Sequence, residues 1–184
     1  MNTSTTPALR EKLVVFSSAA VQRTIERLAH QILEPNGAST NLMLIGIRRG
    51  GENLSRRIAA EIKKRTGVDV PIGFLNINLY RDDDARRDLP DSDIGVSLTG
   101  LELVLVDDVL FTGRTVRAAL DALIDRGRPS AIRLCVMVDR GIRDLPIQAD
   151  YVGRFVPTSR AERIVVNLRP EPSESDRVVI CERP

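Results

Sequence analysis

Two adjacent carboxylates, Asp107 and Asp108, close an apolar run near the middle of the chain and stand just before a turn of small polar residues. Carboxylates at neutral pH only accept hydrogen bonds, so the pair matches the two hydroxyl donors of a vicinal diol such as that of a ribose. Each hydrogen bond to a charged group contributes roughly 1.5–3 kcal/mol. The alternative is structural, because Asp108 could simply cap the helix that follows.

The turn after the acid pair has the residue types that bind phosphate. Thr112, Gly113, Arg114 and Thr115 open a helical pattern, and a helix N-terminus presents unpaired N–H groups and the positive end of the helix dipole. Gly113 allows a close approach of the backbone, and the two threonines add hydroxyl donors. A diol on the acids and a phosphate on the turn describe a ribose 5-phosphate; the alternative is a generic turn in which Thr112 caps the helix.

The elements that must position these residues alternate along the chain. Apolar residues at helical spacing predict helices, and apolar runs or alternation predict strands. The predicted helices are 18–34 (ended by Asn36 and Gly37), 52–67 and 114–127. The predicted strands are 41–47, 70–80, 101–108, 131–140, 151–156, 162–168 and 178–181. Alternating strands and helices indicate an α/β fold with a parallel sheet. Ligands bind beyond the carboxyl ends of such strands, so the loops that follow them converge on one cleft.

Length and composition limit the functions that the chain can have. A chain of 184 residues suits one domain with a full core, with about 1–12 and 169–184 as peripheral termini. The net charge of +2 excludes neither RNA nor an anionic metabolite. The two cysteines lack metal spacing, and the single histidine, His30, lies on a helix face beside Arg23 and Arg27, so the sequence indicates neither a histidine–cysteine metal cluster nor a nucleophilic triad. No signal peptide or long apolar stretch is evident, so no membrane segment and a cytoplasmic location are expected.

The central string "LVDDVLFTGRT" resembles the phosphoribosyl pyrophosphate (PRPP) motif of type I phosphoribosyltransferases. The strings "NLYRDD", "VDRG" followed by "LPI", "ADYVG" and "VPTS" narrow the resemblance to the uracil phosphoribosyltransferases that also regulate pyrimidine operons by attenuation. The resemblance covers about residues 20 to 168. It implies the type I phosphoribosyltransferase fold, a central mainly parallel sheet flanked by helices with a small hood. It also implies conversion of uracil and PRPP to UMP and pyrophosphate, with Mg²⁺ as cofactor.

The resemblance also implies roles for individual residues of the enzyme. The catalytic residues would be Asp107, Asp108 and Arg81, and the two acids would hold Mg²⁺ through water or substrate. The residues that bind PRPP or nucleotide would be Arg48, Arg49, Val109, Leu110, Phe111, Thr112, Gly113, Arg114 and Thr115. The residues that bind the base would be Val138, Asp139, Arg140 and Val156. The loop 81–95, which includes Asp82 and Asp83 and carries Arg86 and Arg87 at its tip, would close over the substrate.

Two positions depart from the family pattern. The loop after the first predicted strand of the sheet reads Arg49, Gly50, Gly51, where related chains usually have Thr-Arg-Gly. Ile142 stands where a histidine usually follows "DRG". We therefore expect altered contacts to pyrophosphate at the first position and to the base or RNA at the second.

The first helix carries a basic stripe. Arg23, Arg27 and His30 are spaced by four and three residues, which places them on one helical face. They would contact RNA phosphates, or they are an ordinary solvated face. As a regulator the chain would bind structured pyrimidine-operon leader mRNA, respond to UMP or UTP, and form a homo-oligomer, a dimer or larger.

Three functions from different classes stay open on the sequence. The chain could be the enzyme alone, an RNA-binding attenuator with weak activity, or a phosphoribosyltransferase for a purine or orotate without RNA regulation. A purine site would be expected to stack an aromatic side chain on the base. Tyr151 and Phe155 are the only aromatics of the predicted hood that could do so.

Overall fold

The computed structural model describes residues 9–36, 41–81 and 89–182. The helices are α1 (Ser18–Asn36), α2 (Gly51–Thr66) and α3 (Arg114–Ile124), with a 3₁₀ turn at Asn78–Tyr80. The strands are β1 (Arg10–Phe16), β2 (Leu42–Ile47), β3 (Ile72–Leu75), β4 (Glu102–Leu110), β5 (Ala131–Asp139), β6 (Tyr151–Phe155), β7 (Glu162–Asn167) and β8 (Arg177–Glu182). In this part of the chain no helix combines the length and apolar character that crossing a membrane requires. Gly37, predicted to end the first helix, lies outside the described residues.

Five strands form the central sheet in the order β3-β2-β4-β5-β6, and all four pairings are parallel. The apolar run of β2 is buried at every position, because helices cover both faces of a parallel sheet. Helices α1 and α2 pack on one face and α3 packs on the other, each over its own apolar cluster. The predicted α/β fold with a mainly parallel sheet is confirmed.

A second sheet brings the two ends of the chain together. It is antiparallel with the order β1-β8-β7, and we call it the hood. Strand β8 contains the predicted strand 178–181, whereas no strand was predicted before residue 18; both β8 and the start of β1 lie in segments predicted to be peripheral. The pairing of β1 with β8 joins residues far apart in sequence, and β1 is too exposed and irregular to show strand periodicity.

A buried ion pair attaches the hood to the central domain. The side chains of Arg57 in α2 and Asp176 before β8 are both buried and share a short hydrogen bond. Arg57 also donates to Gln22 of α1 (2.7 Å), and the Asp176 carboxylate accepts the N–H groups of Arg169 and Ser173. The position of the hood over the central sheet is therefore fixed by polar contacts as well as by its apolar packing.

The ends of two central strands differ from the prediction. The strand predicted over 70–80 ends at Leu75, because the Asn76 side chain accepts the N–H of Asn78 and turns the chain into the 3₁₀ segment. Strand β4, predicted to end at Asp108, continues to pair with β5 as far as Leu110. The acid pair therefore lies within β4.

Candidate active site

A cavity of about 510 Å³ lies at the carboxyl ends of the central strands, under the hood. Its wall is formed by the loop after β2, the segment after β3 with Leu89, the end of β4 with the start of α3, the residue after β5, and strand β7. The described residues that line it are Ile47, Arg48, Arg49, Gly50, Ile77, Asn78, Arg81, Leu89, Asp107, Asp108, Val109, Phe111, Thr115, Arg140, Arg163, Ile164, Val165 and Val166. Of the loops predicted to converge, those after β2 and β4 line the cavity, and Arg81 and Arg140 line it from the other two; residues 82–88 lie outside the described residues.

The acid pair packs against the loop that follows β2. A Cβ atom on Gly50 would lie 2.5 Å from an Oδ1 atom of Asp107 and 2.5 Å from that of Asp108. Asp107 is buried, and its Oδ1 accepts the backbone N–H of Asp108 at 3.0 Å. Burial raises the pKa of Asp108 above its usual range, while hydrogen bonds from the backbone of Val109 and the side chain of Asp107 act in the opposite direction. The absence of a side chain at Gly50 brings the two carboxylates against one backbone segment.

The second glycine of this loop has a separate packing role. A Cβ atom on Gly51 would lie 1.9 Å from the carbonyl oxygen of Val106, so the start of α2 rests directly on β4. Arg49 has a φ of 78°, in the left-handed region that non-glycine residues rarely adopt. Its backbone N–H donates to Glu52 at 3.4 Å and its side chain is exposed. The departure from the family pattern at 49–51 thus leaves a tight loop with one exposed cation at the cavity.

Arg48 anchors the neighbouring segment. Its guanidinium donates to the carbonyl oxygen of Asp91 through Nε (3.1 Å) and Nη2 (2.7 Å), and through Nη1 to Glu52 (2.6 Å). Arg81 follows the 3₁₀ turn and also lines the cavity. Asp82, Asp83, Arg86 and Arg87, predicted to belong to a closing loop, lie outside the described residues. Arg48, Arg49 and Arg81 are the cations that these two segments contribute to the cavity wall.

The predicted phosphate turn lies between β4 and α3. Gly113 has a φ of 90° and precedes the first residue of α3, so glycine relieves the strain of a left-handed turn. The carbonyl oxygen of Thr112 accepts the N–H groups of Asp144 (3.0 Å) and Leu145 (3.2 Å), which fixes the turn from outside. The predicted PRPP residues Val109 and Leu110 belong to β4, and Leu110 is buried. The first N–H groups of an α-helix have no intrahelical partner and favour an anion, and of this turn Thr115 lines the cavity.

Most of the predicted base-binding residues lie in the core or are bonded to other residues of the protein. Val138 and Val156 are buried in the apolar cluster, and Asp139 pairs with Arg143 at 2.6 Å. Arg140 reaches the cavity wall, but its guanidinium donates to Thr158 (2.7 Å) and to two carbonyl oxygens of the loop 158–162 (2.8 Å each). Burial lowers the pKa of Arg140. Its bonds therefore tie the loop before β7 to the end of β5.

Strand β7 supplies the wall residues that the sequence did not single out. Arg163, Ile164, Val165 and Val166 line the cavity. The string "ERIVVNL" predicted a strand, but its place over the cavity follows from antiparallel pairing with β8 in the hood. No local pattern in the sequence specifies that pairing. The hood therefore contributes part of the apolar wall of the site.

The cavity wall offers little open aromatic surface. Among the described wall residues the only aromatic is Phe111, and the Arg140 guanidinium covers its ring at 3.8 Å from the centroid. Tyr151 is buried in the core, and Phe155 is exposed and does not line the cavity. The two aromatics considered for stacking on a purine are thus not part of the described wall.

The basic stripe on α1 lies at the edge of the central sheet. Arg23, Arg27 and His30 are all exposed on one face of the helix. Arg27 donates to the carbonyl oxygens of Val152 (3.3 Å) and Gly153 in β6, the last strand of the sheet. The predicted stripe is present, and Arg27 in addition covers part of an exposed strand edge.

The donor set of the acid pair fits Mg²⁺ only together with a substrate. Among the described residues no group of three or more His, Cys, Asp or Glu side chains could hold a metal ion. Mg²⁺ is usually bound through one or two carboxylates plus substrate phosphates, with several waters retained. Asp107 and Asp108 supply the carboxylates at the cavity, so they suit an ion that arrives with the pyrophosphate of PRPP.

Comparisons with known proteins agree with this geometry. Residues 15–170 match the family model described as "Phosphoribosyl transferase domain". Among solved structures, the chain is similar to the hypoxanthine phosphoribosyltransferase of Trypanosoma cruzi, with a TM-score of 0.72, 18% identity, and coverage of 95% of this chain and 98% of that chain. At this identity the likeness concerns the fold, and it confirms the predicted type I phosphoribosyltransferase fold.

Sequence relatives are much closer. The chain is 51% identical over 162 residues to "Bifunctional protein PyrR" of Geobacter sp. (strain M21), which covers 86% of this chain and 92% of the relative. It is 44% identical over 180 residues to the protein of the same name from Bacillus subtilis (strain 168), which covers 95% and 99%. The resemblance found in the sequence motifs is confirmed. The chain therefore belongs to the PyrR family of bifunctional proteins, within the phosphoribosyl transferases.

Proposed function

We propose that this chain is a uracil phosphoribosyltransferase that also regulates pyrimidine genes by binding leader mRNA in response to pyrimidine nucleotide in the cytoplasm. The reaction joins N1 of uracil to the anomeric carbon of PRPP, breaks the anomeric C–O bond and releases pyrophosphate. The observation that carries the enzymatic half is one cavity in which the paired carboxylates of β4, the N-terminus of α3 and the cations Arg49 and Arg81 meet.

Each part of the cavity has a task in this reaction. Breaking the C–O bond develops positive charge on the ribose ring and negative charge on pyrophosphate, so the protein acts mainly by positioning and by electrostatic stabilisation. Asp107 and Asp108 accept the ribose hydroxyls. The turn 112–115 holds the 5-phosphate, and Arg49 and Arg81 face the pyrophosphate. Mg²⁺, when bound with PRPP, neutralises pyrophosphate charge, and Asp107 and Asp108 are the residues that would hold it through substrate or water.

The walls of the cavity favour a pyrimidine over a purine. The β7 residues Ile164 and Val165 provide aliphatic surface, and the ring of Phe111 is covered by Arg140. A uracil ring can pack between aliphatic side chains while the backbone satisfies its edge. A phosphoribosyltransferase for a purine or orotate is the alternative, and it lacks an open aromatic on the described wall.

The regulatory half rests on the family and on the basic stripe. The relatives are named bifunctional proteins, and Arg23, Arg27 and His30 form an exposed cationic face away from the cavity. UMP or UTP bound in the cavity would be the effector. A homo-oligomer would repeat the stripe by symmetry and enlarge the surface for RNA.

The test of the catalytic assignment is UMP formation from uracil and PRPP by wild type, Asp107→Asn and Asp108→Asn. We expect each variant to lose at least about tenfold in kcat/KM for PRPP, because each loses a charge-assisted hydrogen bond to the diol. Asp121→Asn, on the exposed side of α3, is the matched control and should resemble wild type. Normal turnover by both site variants would contradict the assignment of the diol to these acids.

A further inference from the structure

Phe155 differs from the other aromatic residues of this chain. The chain has four phenylalanines, two tyrosines and no tryptophan, and all six aromatics lie within the described residues. Phe16, Phe74 and Tyr151 are buried, whereas the Phe155 side chain is 60% exposed. Exposing an apolar aromatic ring to water is unfavourable, so the exposure of Phe155 suggests a functional role.

The ring of Phe155 has a fixed seat. Phe155 is the last residue of β6, where it pairs with Asp139 of β5, and the next N–H, from Val156, donates to the Asp139 carbonyl oxygen at 2.8 Å. The ring lies against Gly141, where a Cβ atom would come within 2.6 Å of the ring carbon Cζ. The Gly141 backbone therefore supports part of the ring, and the remainder is open to solvent. Because the side chain is already held in place, it loses little conformational entropy when a partner stacks on it.

Cationic side chains border this ring. Arg154, the residue before it, is exposed, donates to the carbonyl oxygen of Val15 (3.2 Å) and lies over the ring of Phe16. Arg27 of the basic stripe donates to the carbonyl oxygens of Val152 and Gly153, which lie three and two residues before Phe155. The Cβ position of Gly153 contacts Thr24, so α1 packs on β6 two residues before Phe155. The basic stripe and the ring thus belong to one surface.

Acidic groups near this surface are already bonded to protein atoms. Glu26 of α1 accepts a hydrogen bond from Gln22 at 3.1 Å. Asp150, just before β6, accepts the backbone N–H of Leu134 at 2.8 Å. The arginines Arg23, Arg27 and Arg154 outnumber these two carboxylates, so the surface around Phe155 has a net positive charge and one open aromatic ring.

We propose that Phe155 is a stacking platform for an unpaired base of the RNA, with phosphates bound by Arg154 and by the stripe Arg23, Arg27 and His30. Proteins that bind single-stranded nucleic acid combine cations along the backbone with aromatic rings under the bases. Sequence-specific RNA recognition uses bases splayed from loops and bulges, which such a ring can accept. The inference rests on the regulatory half of the proposed function and adds the residue that takes the base.

The platform is separate from the catalytic cavity. Phe155 does not line the cavity, and neither does Gly141, against which its ring lies. Substituting the ring should therefore leave the transfer of ribosyl phosphate to uracil within about twofold of wild type. A catalytic assay then reports whether a variant is folded and active, independently of RNA.

The test is titration of a pyrimidine-operon leader hairpin RNA, with UMP present, against wild type, Phe155→Ala, Phe155→Tyr and Arg23→Ala over a range of salt. Phe155→Ala should weaken binding about tenfold or more, because stacking of one base is lost. Its salt slope should stay that of wild type, whereas Arg23→Ala should make the slope shallower by about one. Phe155→Tyr should retain binding. Leu79→Ala, another exposed apolar side chain, is the matched control and should bind as wild type.

Three results would overturn the proposal, and they are distinguishable. RNA binding by Phe155→Ala equal to wild type, with Arg23→Ala weakened, would remove the platform and leave the regulatory function. If wild type shows no UMP-dependent RNA binding, both the stacking platform and the regulatory function are refuted. A change of oligomer mass in Phe155→Ala by light scattering would show that the ring is a contact between protein copies instead.

Discussion

Gly50→Ala perturbs the acid pair without touching either acid. Gly50 has helical backbone angles, φ −74° and ψ −47°, so alanine fits its backbone, and this change alone would stabilise the fold by about 0.4–1 kcal/mol. The new Cβ atom would lie 2.5 Å from an Oδ1 atom of each of Asp107 and Asp108, whereas real Cβ contacts essentially never fall below 3.0 Å. The carboxylates or the loop must therefore move by about 0.5 Å or more.

The expected effect is large on catalysis and small on stability. A misplacement of about 1 Å in a catalytic arrangement can cost about 10²-fold. We therefore expect kcat/KM for PRPP to fall about 10- to 100-fold, which corresponds to roughly 1.4–2.7 kcal/mol of transition-state stabilisation. The free energy of unfolding should stay within about 1 kcal/mol of wild type, because the displaced carboxylates border a cavity with room to move.

The assay compares kcat/KM for PRPP at saturating uracil with unfolding by urea. Gly95→Ala is the matched control, since a Cβ atom there meets nothing within 4 Å. If Gly50→Ala retains kcat/KM within about twofold of Gly95→Ala, the loop does not position the acids and the reasoning is refuted.

Asp176→Ala leaves the Arg57 guanidinium buried without its carboxylate, and should lower the free energy of unfolding by about 3–5 kcal/mol in urea; an unchanged midpoint would contradict the role of this pair. The hydrogen bond from Lys12 is the main cause that lowers the pKa of Glu162 to about 2. The stabilisation by the Lys12–Glu162 pair is therefore complete above the ordinary glutamate pKa and is lost as pH falls toward about 2. The difference in urea midpoint between wild type and Lys12→Gln should shrink from about pH 5 to about pH 2.5. A difference that stays constant over this range would contradict the role of the pair. A lysine at position 140 cannot reproduce the three guanidinium hydrogen bonds of Arg140. Arg140→Lys should therefore lower the free energy of unfolding by about 1–3 kcal/mol and speed tryptic cleavage of the loop 158–162. Resistance to trypsin equal to that of wild type would contradict this role.

The sequence sufficed for the central sheet and for the acid pair with its turn. Both depend on local signals: buried apolar runs, helical periodicity, and a string of residues contiguous in the chain. The tether made by Arg48 to Asp91 and the packing of Gly50 on the acids were missed, because they join segments that only the folded sheet brings together. A sequence with an arginine beside glycines predicts a phosphate-binding loop whether the guanidinium is available to a ligand or is already hydrogen-bonded to protein atoms.

The hood shows the same limit at a larger scale. Its sheet joins β1, near the start of the chain, to β8, near the end, and no local periodicity encodes that pairing. The family resemblance assigned the base site to Val138, Asp139, Arg140 and Val156, of which Arg140 lines the cavity; the β7 residue Ile164, which belongs to the same core cluster as Val138 and Val156, lines it too. Those assignments to the base stay predictions, and substitution at Ile164 would compare the two walls directly.

The most direct measurement of the central claim is a competition in one vessel. Equimolar uracil, hypoxanthine, guanine and orotate are supplied with limiting PRPP and Mg²⁺, and the nucleotides formed are separated and quantified. Because competing substrates divide in the ratio of their kcat/KM values, the product ratio reports specificity without separate fits. The structure predicts UMP as the main product. A larger yield of any purine nucleotide, or of the orotate product, would contradict the assignment of this cavity to uracil.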